Sequence, residues 1–119
     1  MPERSPRLKV SIEGRVTVVE LIDKKILDEM SISQIGEQVN ALVARSDSPA
    51  MVVDFSNVGN MSSSALGMLI TLHKRIREKN GQLALCCIQP GIYEVFAITR
   101  LNEIFRICST RQEAIESLN

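Results

Sequence analysis

Apolar residues come first in two short bursts. Leu8-Lys9-Val10-Ser11-Ile12 and Val16-Thr17-Val18-Val19-Glu20-Leu21 are rich in β-branched and aliphatic side chains, and Glu13-Gly14-Arg15 between them suits a tight turn. The pattern predicts a strand hairpin. The next segment, 22–30, is charged and shows no clear period. Ser31 with Gln34 three residues on has the spacing of a helix-opening capping box, which places the helix start at Ser31. Ile32, Ile35, Val39, Leu42 and Val43 then recur at helical spacing, giving a helix over 33–44 that Ser46-Asp47-Ser48-Pro49 ends. Residues 50–55 form an unbroken apolar run, the mark of a strand buried on both faces.

The second half of the chain repeats this switch between periods. A loop over 56–61 leads to Ser62-Ser63-Ser64 and a helix over 65–79, with Ala65, Leu66, Leu69, Ile70 and Ile76 inward. Asn80-Gly81 suits its end, because both residues tolerate the left-handed conformation found there. Residues 83–88 read as another buried strand. Pro90 fits the first turn of a third helix that carries Ile92, Val95, Phe96 and Ile98. Ile104-Phe105-Arg106-Ile107 reads as a last short strand. Thr110 with Glu113 makes another capping box, opening a final helix with Ala114, Ile115 and Leu118 inward. The order β-β-α-β-α-β-α-β-α predicts an α/β fold: a mixed, mostly parallel sheet of four to five strands with about four helices. One domain spans 8–119, preceded by a polar, proline-interrupted and flexible tail at 1–7.

Composition narrows the function. The chain has 119 residues, 45% hydrophobic and 24% charged, as expected of a single globular domain. Fourteen basic residues balance fourteen acidic ones, so no basic surface points to nucleic acid. Lys74, Arg75, Arg77 and Lys79 read as the solvated side of a helix. No run approaches the ~20 apolar residues of a membrane span, and the N-terminus does not resemble a signal peptide. The expected compartment is the cytoplasm, without membrane insertion. Cys86, Cys87 and Cys108 lie in apolar runs without a Cys-x-x-Cys pair and read as buried thiols, so neither a metal nor a cofactor is expected.

Catalysis is not expected either. The single histidine, His73, lies on the apolar stripe of the second helix and reads as a packed or half-buried side chain. It would stand on the order of 15 Å from Ser63 along that helix, too far for a hydrogen bond. No nucleophile elbow, phosphate loop or ligand-spaced acid and histidine cluster is present in the sequence.

The informative stretch is Asn60-Met61-Ser62-Ser63-Ser64-Ala65-Leu66-Gly67, where a loop leaves a central strand and enters a helix. First-turn N–H groups there are unpaired and the helix dipole is positive, so an anion such as a phosphoserine is favoured. Serines also simply cap helices, and both readings stay open on the residues alone.

The stretch from Val52 to Gly67, Val-Val-Asp-Phe-Ser-Asn-Val-Gly-Asn-Met-Ser-Ser-Ser-Ala-Leu-Gly, resembles the central signature of the STAS family, the sulfate-transporter and anti-sigma-factor-antagonist domains. The run Leu101-Asn102-Glu103-Ile104-Phe105-Arg106-Ile107 followed by Glu113-Ala114 resembles that family's ending. The resemblance implies a regulatory protein-binding module in partner-switching signalling, controlled by serine phosphorylation. Its partner would be an anti-sigma-factor serine kinase. Aligned on Leu66-Gly67, the family's phosphorylated serine falls on Ser63, with Ser62 and Ser64 as reserve positions. The sequence departs from the family in having Ser62 in place of Asp, Ala65 in place of Gly, and Leu21-Ile22-Asp23-Lys24-Lys25-Ile26-Leu27-Asp28 in place of a Gly-x-Leu-Asp pattern; that segment is one candidate for a divergent partner surface. Asp23, Lys24, Asn60, Met61, Ser62, Ser63 and Ser64 are the candidate partner-binding residues. A second reading implied by the family is an accessory subunit of a lipid or anion transporter, using the same face without a phospho-switch. Self-association is open.

Overall fold

A computed structural model describes residues 8–118; the expected tail at 1–7 and Asn119 lie outside them. The chain runs β1 (Leu8–Glu13), β2 (Val16–Leu21), β3 (Lys25–Ile26), α1 (Glu29–Ala44), β4 (Ala50–Asp54), β5 (Asn60–Met61), α2 (Ser63–Glu78), β6 (Gln82–Cys86), α3 (Pro90–Ile98), a 3-10 turn (Leu101–Glu103), β7 (Arg106–Cys108) and α4 (Arg111–Leu118). The main sheet has five strands in the order β1-β2-β4-β6-β7. β1 is antiparallel to β2 through the turn at Gly14, where φ is 66°, and the remaining pairs are parallel. The expected mixed α/β sheet with four helices is therefore present, and a second, two-stranded sheet joins β3 to β5.

The sheet is covered on both faces, which is why β4 and β6 read as continuous apolar runs. Val19, Leu21, Met51, Val53 and Leu85 share one core with Ile35, Val39, Leu69, Leu72, Ile76 and Phe96 of α1, α2 and α3. Val16, Val18, Val52, Ala84 and Cys86 face the other way, against Ala114, Ile115 and Leu118 of α4. Each fully buried Leu, Ile or Val contributes about 1.5–3 kcal/mol relative to exposure.

Several boundaries differ from the sequence expectation, each for a local reason. α1 starts at Glu29, capped by Asp28 rather than Ser31. The Asp28 carboxylate accepts the Ser31 N–H at 2.9 Å and the Ser31 hydroxyl at 2.8 Å, so Ser31 is buried inside the first turn. A charged cap also complements the helix dipole. On α2, Leu72 is fully buried and Ile70 only partly. On α3 only Ile92 and Phe96 are buried; Val95 and Ile98 face solvent, at 41% and 81% exposure. An (i, i+4) pair is all that this nine-residue helix turns to the core. The last strand begins at Arg106, because Ile104 and Phe105 both donate to the Leu101 carbonyl and hold the preceding residues in a 3-10 turn. His73 is half-buried with its ring edge-on to Phe105, 5.3 Å between centroids. Burial, helped by the Arg77 charge, holds its pKa below the usual value.

Two contacts fix how these elements meet. Asn80 takes the left-handed conformation expected of a helix stop, with φ of 58°. At the next residue, a Cβ on Gly81 would sit against the Pro49 carbonyl oxygen and 2.8 Å from Pro49 Cγ. That same carbonyl accepts the Gln82 N–H at 2.8 Å, so β6 can start beside β4 only if Gly81 stays small.

The second contact is a charge network at the far end of β4. Asp54 is 3% exposed. Its Oδ1 accepts the Ser56 N–H at 2.8 Å, and its Oδ2 accepts Arg111 Nε from α4, also at 2.8 Å. Arg111 donates through its NH2 group to Glu20 Oε1 of β2 at 2.9 Å. The other Glu20 oxygen accepts Asn57 Nδ2 at 2.9 Å, and Asn57 Nδ2 also reaches the Leu21 carbonyl. Burial pushes the Asp54 pKa up, but the Ser56 N–H and the Arg111 guanidinium outweigh it and hold the carboxyl below its ordinary value. Arg111, then Asn57, lower that of Glu20.

Gly81→Ala is expected to cost about 1–3 kcal/mol in chemical unfolding, because backbone must move to admit the methyl group. Arg111→Gln leaves a carboxylate buried without its cation. It is expected to cost about 2 kcal/mol at pH 7, at the low end for a buried pair because the guanidinium is partly exposed. Both carboxyl pKa values are lowered by folding, so their stabilisation is present above the unfolded values and is lost as pH falls through the folded ones. The gap between wild type and Arg111→Gln should therefore close below about pH 4. Urea denaturation of both proteins at pH 7 and pH 3 measures it; a gap that does not change with pH would rule this account out.

Candidate functional site

The site lies where the loop after β4 returns to enter α2. Its frame is the two-stranded sheet: Lys25 pairs with Asn60 and Ile26 with Met61. The Gly59 and Asn60 N–H groups both donate to the Lys24 carbonyl, at 2.8 and 3.1 Å, and the Ser62 N–H donates to the Ile26 carbonyl at 3.0 Å. These bonds bring the family-divergent segment after β2 against the serine loop. Lys24, Asn60, Met61 and the three serines form one surface, with the half-buried Asp23 beside Lys24. Residues 60–61, expected as loop, are strand because of this tertiary pairing. Lys24, Ser56, Asn57, Asn60 and Gln89 line a cleft of about 380 Å³ beside it. Gln89 Nε2 donates to the Ser56 carbonyl at 3.3 Å, so the turn after β6 also supports the loop.

The three serines have different duties. Ser62 is the helix cap, with φ of −89° and ψ of 168°, and its Oγ accepts the Ala65 N–H at 3.3 Å. That duty leaves Ser62 half-buried, whereas Ser63 and Ser64 are exposed. Ser64 Oγ lies 3.4 Å from Glu29 Oε2 of α1 and donates to it. Ser63 is the first residue of α2. The N–H groups of Ser63 and Ser64 fall in the first turn, where no intrahelical carbonyl is available, so they face the position an anion would take.

Two exposed apolar residues neighbour this surface along the chain: Leu27, within the segment 21–28 named above as a candidate partner surface, and Met30, which was not singled out from the sequence. Leu27 and Met30 are 51% and 68% exposed. Leu27 follows Ile26, whose carbonyl holds Ser62, and Met30 follows Glu29, which holds Ser64. Exposed apolar side chains next in sequence to residues that hold a polar site suit a protein contact. The available signal was their size within an otherwise charged segment. Behind the site, Asp54, Cys86 and Cys87 place three ligand-type atoms within 4.8 Å of one another. Asp54 is already committed to Ser56 and Arg111. Burial, with the nearby Asp54 charge, drives the Cys86 thiol pKa far up, which makes its metal-binding thiolate form costly.

Comparison with known proteins agrees with this fold. The STAS domain family model matches residues 7–114. The anti-sigma F factor antagonist of Paenibacillus polymyxa is 25% identical over 92 residues, 77% of this chain and 79% of that protein. The solved anti-sigma-factor antagonist (STAS) domain protein of Planctomyces limnophilus superposes with a TM-score of 0.86 at 28% identity, covering 93% of this chain and 97% of that one. The Bacillus cell fate determinant SpoIIAA, in its phosphorylated form, shares the fold with a TM-score of 0.72 at 18% identity, covering 94% and 99%. Anti-sigma-factor antagonists thus stand among both its sequence relatives and its structural neighbours, and this chain belongs to the STAS domain family.

Proposed function

We propose that this chain is a partner-switching regulator of the anti-sigma-factor-antagonist type, and that Ser63 is its phosphate acceptor. The observation that carries the reading is the division of labour among the serines. Ser62 is used by the fold as a cap and Ser64 is held by Glu29, while Ser63 stands exposed at the first position of α2.

In the unmodified state a protein partner covers Ser63 together with Lys24, Asn60, Leu27 and Met30. The partner of this chemistry is a serine kinase that also acts as the anti-sigma factor, which places the exchange in the cytoplasm. Among the described residues no helix is long and apolar enough to cross a membrane. Phosphorylation adds about −2 charge at a helix N-terminus. The first-turn N–H groups and the dipole accept that charge, so the domain itself stays folded. A docked partner would have to strip water from the phosphate, and apolar contacts to Leu27 and Met30 do not compensate for that. The complex therefore comes apart on modification, and the chain needs no catalytic group of its own.

Incubation with the cognate kinase and ATP, followed by mass spectrometry, should place the phosphate on Ser63. Ser63→Ala should bind the kinase and stay unmodified, while Ser63→Asp should bind at least about tenfold more weakly, a loss of about 1.4 kcal/mol. Ser62→Ala should lose about 1 kcal/mol of stability, the value of a cap, and still be modified at Ser63. Phosphate on Ser62 or Ser64 would move the acceptor. A kinase that binds without modifying the chain would favour a constitutive interface, as for a transporter's accessory subunit.

A further inference from the structure

We infer that β1 is a self-complementary edge through which two copies of this chain pair as an antiparallel dimer. β1 ends the five-stranded sheet, and among the described residues nothing pairs with its outer side. It is six residues long, against three for β7 at the opposite edge, where Arg106 is also tied back to the Ser117 carbonyl of α4. Short, tied-down edges resist pairing with other chains, and long open ones invite it.

The side chains of β1 fall into two sets. The pairs Leu8 with Leu21 and Val10 with Val19 put residues 8, 10 and 12 on the α1 and α2 face. Lys9 with Glu20 and Ser11 with Val18 put residues 9, 11 and 13 on the α4 face. Val10 and Ile12 are 47% and 65% exposed, so an apolar strip lies open at the edge. Lys9 and Glu13 are exposed as well. Across the hairpin Lys9 faces Glu20, while Glu13 faces Val16 and has no basic neighbour there.

The occupant follows from that arrangement. With a two-fold axis through Ser11, Lys9 of one copy stands opposite Glu13 of the other, twice, and Val10 stands opposite Ile12, twice. Opposite charges meet on one face and β-branched side chains on the other, both favourable cross-strand pairs. A two-fold contact uses the same patch from both subunits, so these two conditions must hold together within one strand, as they do here. Registers shifted by two residues set Lys9 against Ser11 or Glu13 against Ser11 and lose both Lys9–Glu13 pairs. A shift by one sets Lys9 or Glu13 against an apolar residue and mixes the faces. The edge therefore selects one register and a second copy of itself. The inference does not rest on the reading of Ser63, which lies in a different part of the sheet's connections.

Sedimentation velocity over a concentration series, on the full chain, tests it by charge reversal. Wild type should dimerise reversibly, with a Kd between about 1 μM and 1 mM as suits a short seam. Lys9→Glu and Glu13→Lys should each weaken self-association at least about tenfold, since each sets two like-charge pairs across the axis. Mixed in equal amounts, the two variants should associate with each other, and the double variant should regain self-association. Circular dichroism of each variant should match wild type, and Ser63→Ala should dimerise normally whatever the fate of the phosphate. A wild type that stays monomeric at about 1 mM, a dimer that neither reversal weakens, or single variants that fail to associate when mixed would each overturn the inference. So would a monomer whose outward β1 amides resist hydrogen exchange, because another part of the chain would then occupy the edge.

Discussion

The buried carboxylate of Asp54 is the constraint on which the rest of the structure turns. β4 is covered on both faces, and its last residue carries a charge into that interior. An unpaired buried charge is far costlier than any single apolar contact, so the surrounding chain must supply partners. It does so from two directions. The Ser56 N–H closes onto one oxygen and sets the direction of the loop as it leaves the strand. Arg111 closes onto the other and fixes the start of α4 on the opposite face. Glu20 and Asn57 then tie β2 to the same loop. A buried ion pair gains little net stability over apolar residues of the same shape. What this one does is hold a strand, a loop and a helix in one relative position.

That placement is what makes the serine surface possible. The loop that leaves Asp54 in a fixed direction reaches β3 and forms the two-residue pairing that seats Ser62 on the Ile26 carbonyl. Once Ser62 is seated, its hydroxyl can cap α2, and the first turn of the helix is presented outward. The serine surface is thus at the tip of a short chain of contacts that begins in the core.

Much of this was legible in the sequence, and the failures share a cause. The switch between continuous apolar runs and helical spacing located all four helices and the main strands, because each pattern reports one period and one kind of burial. It did not locate β3 and β5, which exist only by pairing with each other across a long gap in the chain. Ser31-Gln34 imitated a capping box, while the carboxylate that does the capping sat in the unreadable charged segment. Helical spacing gave α3 four apolar residues, but spacing cannot say which of them the neighbouring elements cover, here Ile92 and Phe96 alone. The serine string was legible as a first helical turn; which serine is spare depends on Glu29, 35 residues away, and on the cap geometry. Arg111 was invisible as a site residue, since it is 57 residues from Asp54 and 91 from Glu20.

The departure at Ser62 has an electrostatic consequence for the proposed switch. A carboxylate at the cap would already neutralise part of the positive end of α2, and would stand next to any phosphate on Ser63. Ser62 performs the same hydrogen-bonding duty with a neutral hydroxyl, accepting the Ala65 N–H. The dipole is left unspent, and like-charge repulsion between cap and phosphate is absent. Glu29, the acid that reaches the first turn of α2, accepts a hydrogen bond from Ser64. On this reading the substitution lowers the cost of carrying a phosphate at Ser63 and removes a negative group from what the kinase meets. The balance between the two forms then rests less on the fold of this chain than on how well its partner tolerates a dianion beside Leu27 and Met30.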